Sequence, residues 1–191
     1  MGYKRDYYKR HKTKYDSWER ILSHEFYKFI KISSIIYLGC GVGSYLLGFY
    51  ECGLRDMLGL EINLRLAEEF IDERIRHNVI EQDITKEINI SRKYDCVWSV
   101  EVGEHICPED TIRFIKNLCN LSSRYILFTA APPGQRGSHH QNCREKSFWI
   151  QSVCDEGMIY KKDIEDNIRE LWSHTDASPS VLRNLMFFEK A

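Results

Sequence analysis

The chain has 191 residues, 43% of them hydrophobic and 29% charged, with a formal net charge of -1 at neutral pH. That length can bury one core, the charge balance argues against a whole-protein nucleic-acid binder, and no apolar run of about 18 residues stands ready to cross a bilayer. The first 15 residues are basic and tyrosine-rich rather than an apolar leader, so a soluble, cytoplasmic, single-domain protein is expected. Seven cysteines (40, 52, 96, 107, 119, 143 and 154) are odd in number, form no CxxC pair and lie mostly in apolar segments. They read as reduced, packed thiols rather than disulfide partners or zinc ligands.

Residues 1–15, MGYKRDYYKRHKTKY, carry six Lys/Arg against one Asp. Two readings are open: a solvated, partly disordered arm, or a lid and grip for an anionic acceptor, since aromatics between basic residues suit sugar faces or nucleobases. A helix is predicted from Ser17 to about Ile30, with Trp18, Ile21, Leu22, Phe26 and Phe29 as its core stripe. Residues 1–30 are thus expected to be a basic arm and helix packed on a domain of residues 31–191. From Ser34 onward, strands are predicted at Ile35–Gly39, Met57–Glu61, Val79–Asp83, Cys96–Glu101, Tyr125–Ala130, Met158–Lys161 and Leu185–Glu189. Helical segments fall between them near Ser44–Cys52, Asn63–Arg74, Pro108–Leu121 and Glu145–Cys154. The alternation predicts an α/β fold, a Rossmann-like and mostly parallel sheet with helices on both faces, whose ligand would sit beyond the carboxyl ends of the strands.

The first predicted strand runs into IYLGCGVG, with Gly39, Gly41 and Gly43 at alternate positions. Such a turn lets the backbone approach a bound molecule and adopts positive φ at little cost. Glu61 ends the next strand, about 20 residues on, where a carboxylate can accept hydrogen bonds from both hydroxyls of a ribose. Asp83 ends the third, in EQDI, where it could receive an adenine amino group. The plainer alternative is that both acids only cap helices.

These residues together resemble the class I S-adenosylmethionine-dependent methyltransferases, over about residues 34–191: LGCGVG, LGLEIN, EQDI and YDCVWSVEVGEHI stand as the first four motifs. The resemblance implies a seven-stranded sheet closed by an antiparallel hairpin, for which GMIYKK and NLMFFEK are the candidates. It implies S-adenosylmethionine as cofactor, held by Gly39, Cys40, Gly41, Gly43, Glu61, Ile62, Asp83, Ile84 and Glu101. The GxGxG spacing differs from the GxGxxG turn of NAD-binding proteins. One departure is Tyr37, which stands where most members have an acid that helps hold the methionine amino group.

Glu101, Glu104 and His105, in SVEVGEHICPED, fall where a strand gives way to a helix marked by Pro108. If they share one turn, two carboxylates and an imidazole suit a hard divalent ion, Mg²⁺ or Mn²⁺. The residue types match the ExxEH motif that binds metal in ubiquinone-pathway O-methyltransferases and small-RNA terminal 2′-O-methyltransferases; elsewhere in the superfamily the motif often only orders the loop. The loop APPGQRGSHHQN carries adjacent His139 and His140, of which one in an extended chain would face the site, either as a general base or to complete the metal shell with Glu101, Glu104 and His105. The loop is similar to the HHxN loop of a small bacterial methyltransferase group, which implies that His139, His140, Asn142 and Trp149 line the acceptor side, although Cys143 and Arg144 replace the usual acid. No D/NPPY tetrapeptide is present, so oxygen rather than a base nitrogen is the expected acceptor. The sequence therefore reads as an O-methyltransferase of a glycan or small metabolite. A metal-dependent RNA ribose 2′-O-methyltransferase gripping RNA through the basic arm, and a non-catalytic methyltransferase-fold binding protein, are the rivals.

Overall fold

The computed structural model describes residues 4–191, so the first three residues of the basic arm lie outside the described residues. The strands form where apolar and β-branched residues run together: β1 (Ile35–Leu38), β2 (Met57–Glu61), β3 (Val79–Glu81), β4 (Tyr94–Ser99), β5 (Ser122–Thr129), β6 (Met158–Tyr160) and β7 (Leu185–Lys190). They make one seven-stranded sheet in the order β3-β2-β1-β4-β5-β7-β6. The first five pair in parallel, and β7 runs antiparallel between β5 and β6. This is a Rossmann-like α/β fold, with its final antiparallel pair made by the two segments the sequence singled out.

Because side chains alternate along a strand, each strand feeds two cores. Ile35 and Tyr37 of β1, Trp98 of β4 and Phe187 of β7 face one core, while Ile36 and Leu38, Val97, and Met186 and Phe188 face the other. The second core is covered by α4 (Thr111–Leu121) and α5 (Lys146–Asp155), whose Phe114, Leu118, Trp149 and Val153 are buried. On the first face lie α1 (Arg5–Phe29), α2 (Ser44–Glu51), α6 (Lys162–Ser173) and α7 (Pro179–Asn184). Its centre is an aromatic knot around Trp98, with ring centroids 4.9 Å from Phe26, 5.2 Å from Phe49 and 6.0 Å from Trp172.

Three expectations change. The basic arm is helical: α1 begins at Arg5, twelve residues before the predicted start, because its first turns have partners. Arg5 pairs with Glu69, Asp16 accepts from Ser44 Oγ at 2.7 Å, and Arg20 makes two bonds to Glu51, at 3.0 and 2.6 Å. Of the predicted stripe, Leu22 and Phe26 are buried, whereas Ile21 and Phe29 are exposed. The helix expected over Asn63–Arg74 shrinks to α3 (Leu64–Ala67) and a 3₁₀ turn at Glu68–Phe70. α6 and α7, between the last two strands, were not anticipated.

α1 lies on α2 at Gly48, where a Cβ would stand 2.6 Å from the Arg20 carbonyl oxygen and 2.7 Å from the Ser23 Cβ. Gly48→Ala would gain helix propensity yet must force the helices apart. It is expected to destabilise the chain by roughly 1–3 kcal/mol, read as a lower urea midpoint.

Candidate functional site

The carboxyl ends of β1, β2 and β4 open into a cleft of about 680 Å³. α1 forms one wall and the loop after β5 the other, so residues more than a hundred positions apart face one space. Gly39, Cys40 and Gly41 form its floor, while Gly43, expected beside them, lies outside the lining and packs toward Ile75. Gly39, Gly41 and Gly43 all have positive φ, of 77°, 55° and 74°. At Gly39 a Cβ would strike Val102 at 2.7 Å, so the room it leaves is taken by protein. Gly41 instead faces the cleft, its nearest neighbour in the Cβ direction being the His11 ring at 3.8 Å. Cys40 lines the cleft, but its buried thiol also fills the space over Gly59, and burial holds its pKa well above that of ordinary thiols.

Glu61 is buried at the end of β2 and its carboxylate is fully engaged. It accepts the backbone N–H of Gly41 (3.0 Å), the N–H of Asn63 (3.0 Å) and the hydroxyl of Tyr8 on α1 (2.9 Å). Tyr8 was not anticipated from sequence, because it lies more than fifty residues away in the supposed arm. Asp83 accepts from Thr85 N at 2.9 Å and Thr85 Oγ1 at 2.7 Å, which caps its own turn, and it lines the cleft. Ile62, half exposed, and Ile84, buried, stand beside these acids as apolar walls.

On the opposite wall, Gly103–His105 forms a 3₁₀ turn after β4. Glu104 is fully buried there, and neither carboxylate oxygen has a hydrogen-bond partner among the described residues. Burial, and secondly the charge of Glu101, push its pKa up to about 8. His105 is driven down to about 4, mainly by burial, so its imidazole is neutral. The loop then returns His140 to this spot: its Nε2 lies 3.9 Å from Glu104 Oε1 and its ring centroid 5.0 Å from that of His105. One ligand atom from each of Glu104, His105 and His140 lies within 4.8 Å of the others.

The loop holds this pose by backbone bonds. The N–H groups of Gln141 and Asn142 donate to the Glu104 carbonyl at 2.9 and 3.0 Å, and Gln135 O lies 3.1 Å from His140 Nδ1. Gly137 lies flat against His140, where a Cβ would stand 2.0 Å from Nε2. His139 is exposed and lines the rim of the cleft, with a left-handed φ of 64°.

Three expected placements are revised. Glu101 lines the cleft but is not in the Glu104–His105–His140 group. It accepts from Thr129 Oγ1 (2.9 Å), Asn184 Nδ2 (3.0 Å) and Gln135 Nε2 (3.3 Å), which hold its backbone at a φ of 53°. Asn142 is buried and bonds Thr111 Oγ1 at 2.9 Å and Gly103 O, so it braces the loop rather than lining the acceptor side. Trp149 is fully buried, 5.2 Å from the Phe128 ring, in the core beneath Gly103. The polar amide of Asn142 and the indole of Trp149 are residue types that suit a ligand, but burial turns both inward. Tyr37 is also buried, its ring 5.7 Å from Tyr45.

No family profile and no curated protein sequence matches the chain. Solved structures do. A sugar N-methyltransferase from Streptoalloteichus sp. superposes with a TM-score of 0.71 at 11% identity, over 100% of this chain and 94% of its own. Magnesium protoporphyrin IX methyltransferase from Synechocystis, solved with bound SAH, gives 0.66 at 15% identity over 92% and 83%. A SAM-dependent methyltransferase from Archaeoglobus fulgidus gives 0.64 at 15% over 91% and 94%. The shared property is the fold. No helix among the described residues is long and apolar enough to cross a membrane.

The raised pKa of Glu104 sets a pH dependence. The folded chain binds this proton more tightly than the unfolded one, so its contribution to stability is full below the usual carboxylate pKa and is lost as pH rises through about 8. In chelator, the native chain is expected to lose on the order of 2 kcal/mol between about pH 5 and pH 8.5 relative to Glu104→Gln, measured by urea unfolding. Parallel pH profiles for the two proteins would contradict this.

Proposed function

We propose that the chain is an S-adenosylmethionine-dependent methyltransferase that methylates a hydroxyl of a small molecule or glycan with the help of a divalent cation. One observation carries the reading: a single cleft holds a nucleoside-type edge at Gly41, Glu61 and Asp83 and, across from it, the Glu104–His105–His140 cluster. The likeness in fold to methyltransferases, one of them solved with SAH, supports the same cofactor.

When bound, the cofactor supplies a methyl group on a sulfonium sulfur, open to in-line displacement. Glu61 is placed to accept the ribose hydroxyls, with Tyr8 giving up its bond as they arrive. Asp83 would accept from the adenine amino group, between the apolar side chains of Ile62 and Ile84. Gly39, Cys40 and Gly41 offer the backbone floor, Gly43 lets the chain turn from it into α2, and Glu101 stiffens the strand end beside it. Holding donor and acceptor in line contributes much of the acceleration in such a reaction.

A divalent cation supplies Lewis acidity that lowers the pKa of an acceptor hydroxyl. The cluster fits one: Glu104 presents buried carboxylate oxygens with no hydrogen-bond partner among the described residues, the neutral imidazole of His105 presents a lone pair, and His140 brings its Nε2 to the same spot. A mixed nitrogen and oxygen set suits Mn²⁺ better than Mg²⁺. His139, at the exposed rim, is then the imidazole placed to take the hydroxyl proton away.

A second reading, methylation of an RNA ribose 2′-hydroxyl, is favoured by Arg10 and Lys14, which line the cleft on α1 beside Tyr7 and Tyr15. It differs in requiring binding of short RNA that weakens steeply with salt.

At about 100 times its Kd, S-adenosylhomocysteine is expected to raise the thermal midpoint by about 5–10 °C. No shift at millimolar ligand would leave a methyltransferase-fold binding protein. Mn²⁺ binding, followed by electron paramagnetic resonance, is expected in the native chain and lost in His140→Ala, while that variant keeps its S-adenosylhomocysteine shift within about 1 °C. Undiminished Mn²⁺ binding in His140→Ala would remove the cation from the reading.

A further inference from the structure

Beside Glu61 and Glu104 the cleft contains a third buried carboxylate, which the proposed chemistry does not use. Glu19, on α1, is 5% exposed. Its Oε1 lies 3.1 Å from His11 Nε2, but Oε2 has no hydrogen-bond partner among the described residues. Two further buried polar atoms without partners there are His11 Nδ1 and Tyr45 Oη. Glu19, His11 and Tyr45 all line the same cleft as Gly39 and Gly41. A buried carboxylate oxygen facing a cleft with no donor is costly unless a ligand supplies one.

The glycine turn separates two ends of this space. Gly41 N–H donates to Glu61, which fixes the side where a ribose would lie, while the Cβ direction of Gly41 faces the His11 ring at 3.8 Å. A ligand laid across the turn with its ribose at Glu61 therefore sends its other end toward His11 and Glu19. In S-adenosylmethionine that end is an amino acid, whose ammonium has three N–H donors and a positive charge. β1 offers it nothing ionic, because the residue two positions before Gly39 is Tyr37, buried and with its phenol held protonated by burial and by the charge of Glu19.

We propose that Glu19 is the counter-charge for the ammonium group of the cofactor, so that α1, rather than the end of β1, completes the cofactor site. The inference rests on the methyltransferase reading. Glu19 Oε2 accepts from the ammonium, the His11 imidazolium donates from Nε2 to the other carboxylate oxygen, and its Nδ1–H and the Tyr45 hydroxyl are the donors left to meet the cofactor's own carboxylate. The N-terminal helix is thereby a binding element and not a passive cover. Tyr8 and Glu19, three turns apart on α1, touch the two ends of one ligand.

The test compares two ligands that differ only at this end. S-adenosylhomocysteine carries the amino acid, whereas 5′-methylthioadenosine keeps the adenine, ribose and thioether and lacks it. Calorimetric titration of the full chain is expected to show Glu19→Gln weakening S-adenosylhomocysteine by about ten- to hundredfold, with 5′-methylthioadenosine unchanged within about twofold. Retained 5′-methylthioadenosine binding also reports an intact fold. If Glu19→Gln does not fold, Glu19→Asp, which keeps the charge beside His11 but draws it back, is read by the same comparison, with a smaller selective loss expected. Equal affinity of native and variant chains for S-adenosylhomocysteine, or an equal loss for both ligands, would overturn the assignment of Glu19 alone. A native chain that binds neither ligand would overturn the cofactor reading itself, and this inference with it.

Discussion

The carboxylate of Glu61 is the point on which the site depends. It is buried at the end of β2 and accepts from the glycine turn through Gly41, from its own following turn through Asn63, and from α1 through Tyr8. A buried carboxylate must be paired by donors, and each charge-assisted bond is worth more than a neutral one. Three segments that are far apart in sequence are therefore locked to one side chain. The position of the turn fixes the floor of the cleft, and the position of Tyr8 fixes its wall.

The opposite wall is held in a different way. There the backbone does the positioning: two N–H groups of the loop grip the Glu104 carbonyl, and Gly137 lets His140 lie flat against the chain. Two non-glycine residues in the left-handed region, Glu101 and His139, flank this wall. Such conformations cost energy and persist where surrounding bonds over-determine them, as Thr129, Asn184 and Gln135 do for Glu101. The strain sits at the cleft rather than in the two cores.

Unpartnered buried polar atoms show the same distribution. Among the described residues, Glu104, Glu19, His11 and Tyr45 line the cleft, the indole nitrogens of Trp98 and Trp149 lie within the cores, and His24 Nε2, 3.3 Å from Glu51 Oε2, belongs to neither. Stability is thus given up where ligands would repay it, and the aromatic knot about Trp98 and the parallel sheet supply the rigid frame.

The sheet was legible in the sequence because its strands are short apolar runs at regular spacing, and the glycine turn, Glu61 and Asp83 follow from where such strands end. Six of the seven strands were placed within about two residues at each end, β5 beginning three residues earlier than expected. What failed was whatever depended on partners. The basic arm reads as solvated because nothing within it shows Glu69, Ser44 or Glu61 waiting across the domain to make it a helix. Asn142 and Trp149 look like site residues, but only packing shows them turned into the interior. A loop histidine joining Glu104 and His105 was open in the sequence, but that it is His140, and that Glu101 stays outside the group, could not be read from spacing. Periodicity and local turn chemistry are properties of neighbouring residues, and the sequence by itself determined the fold and one edge of the cleft. The direction a side chain faces and the charge it meets are set by segments tens of residues away, so the tertiary structure alone decided the two walls.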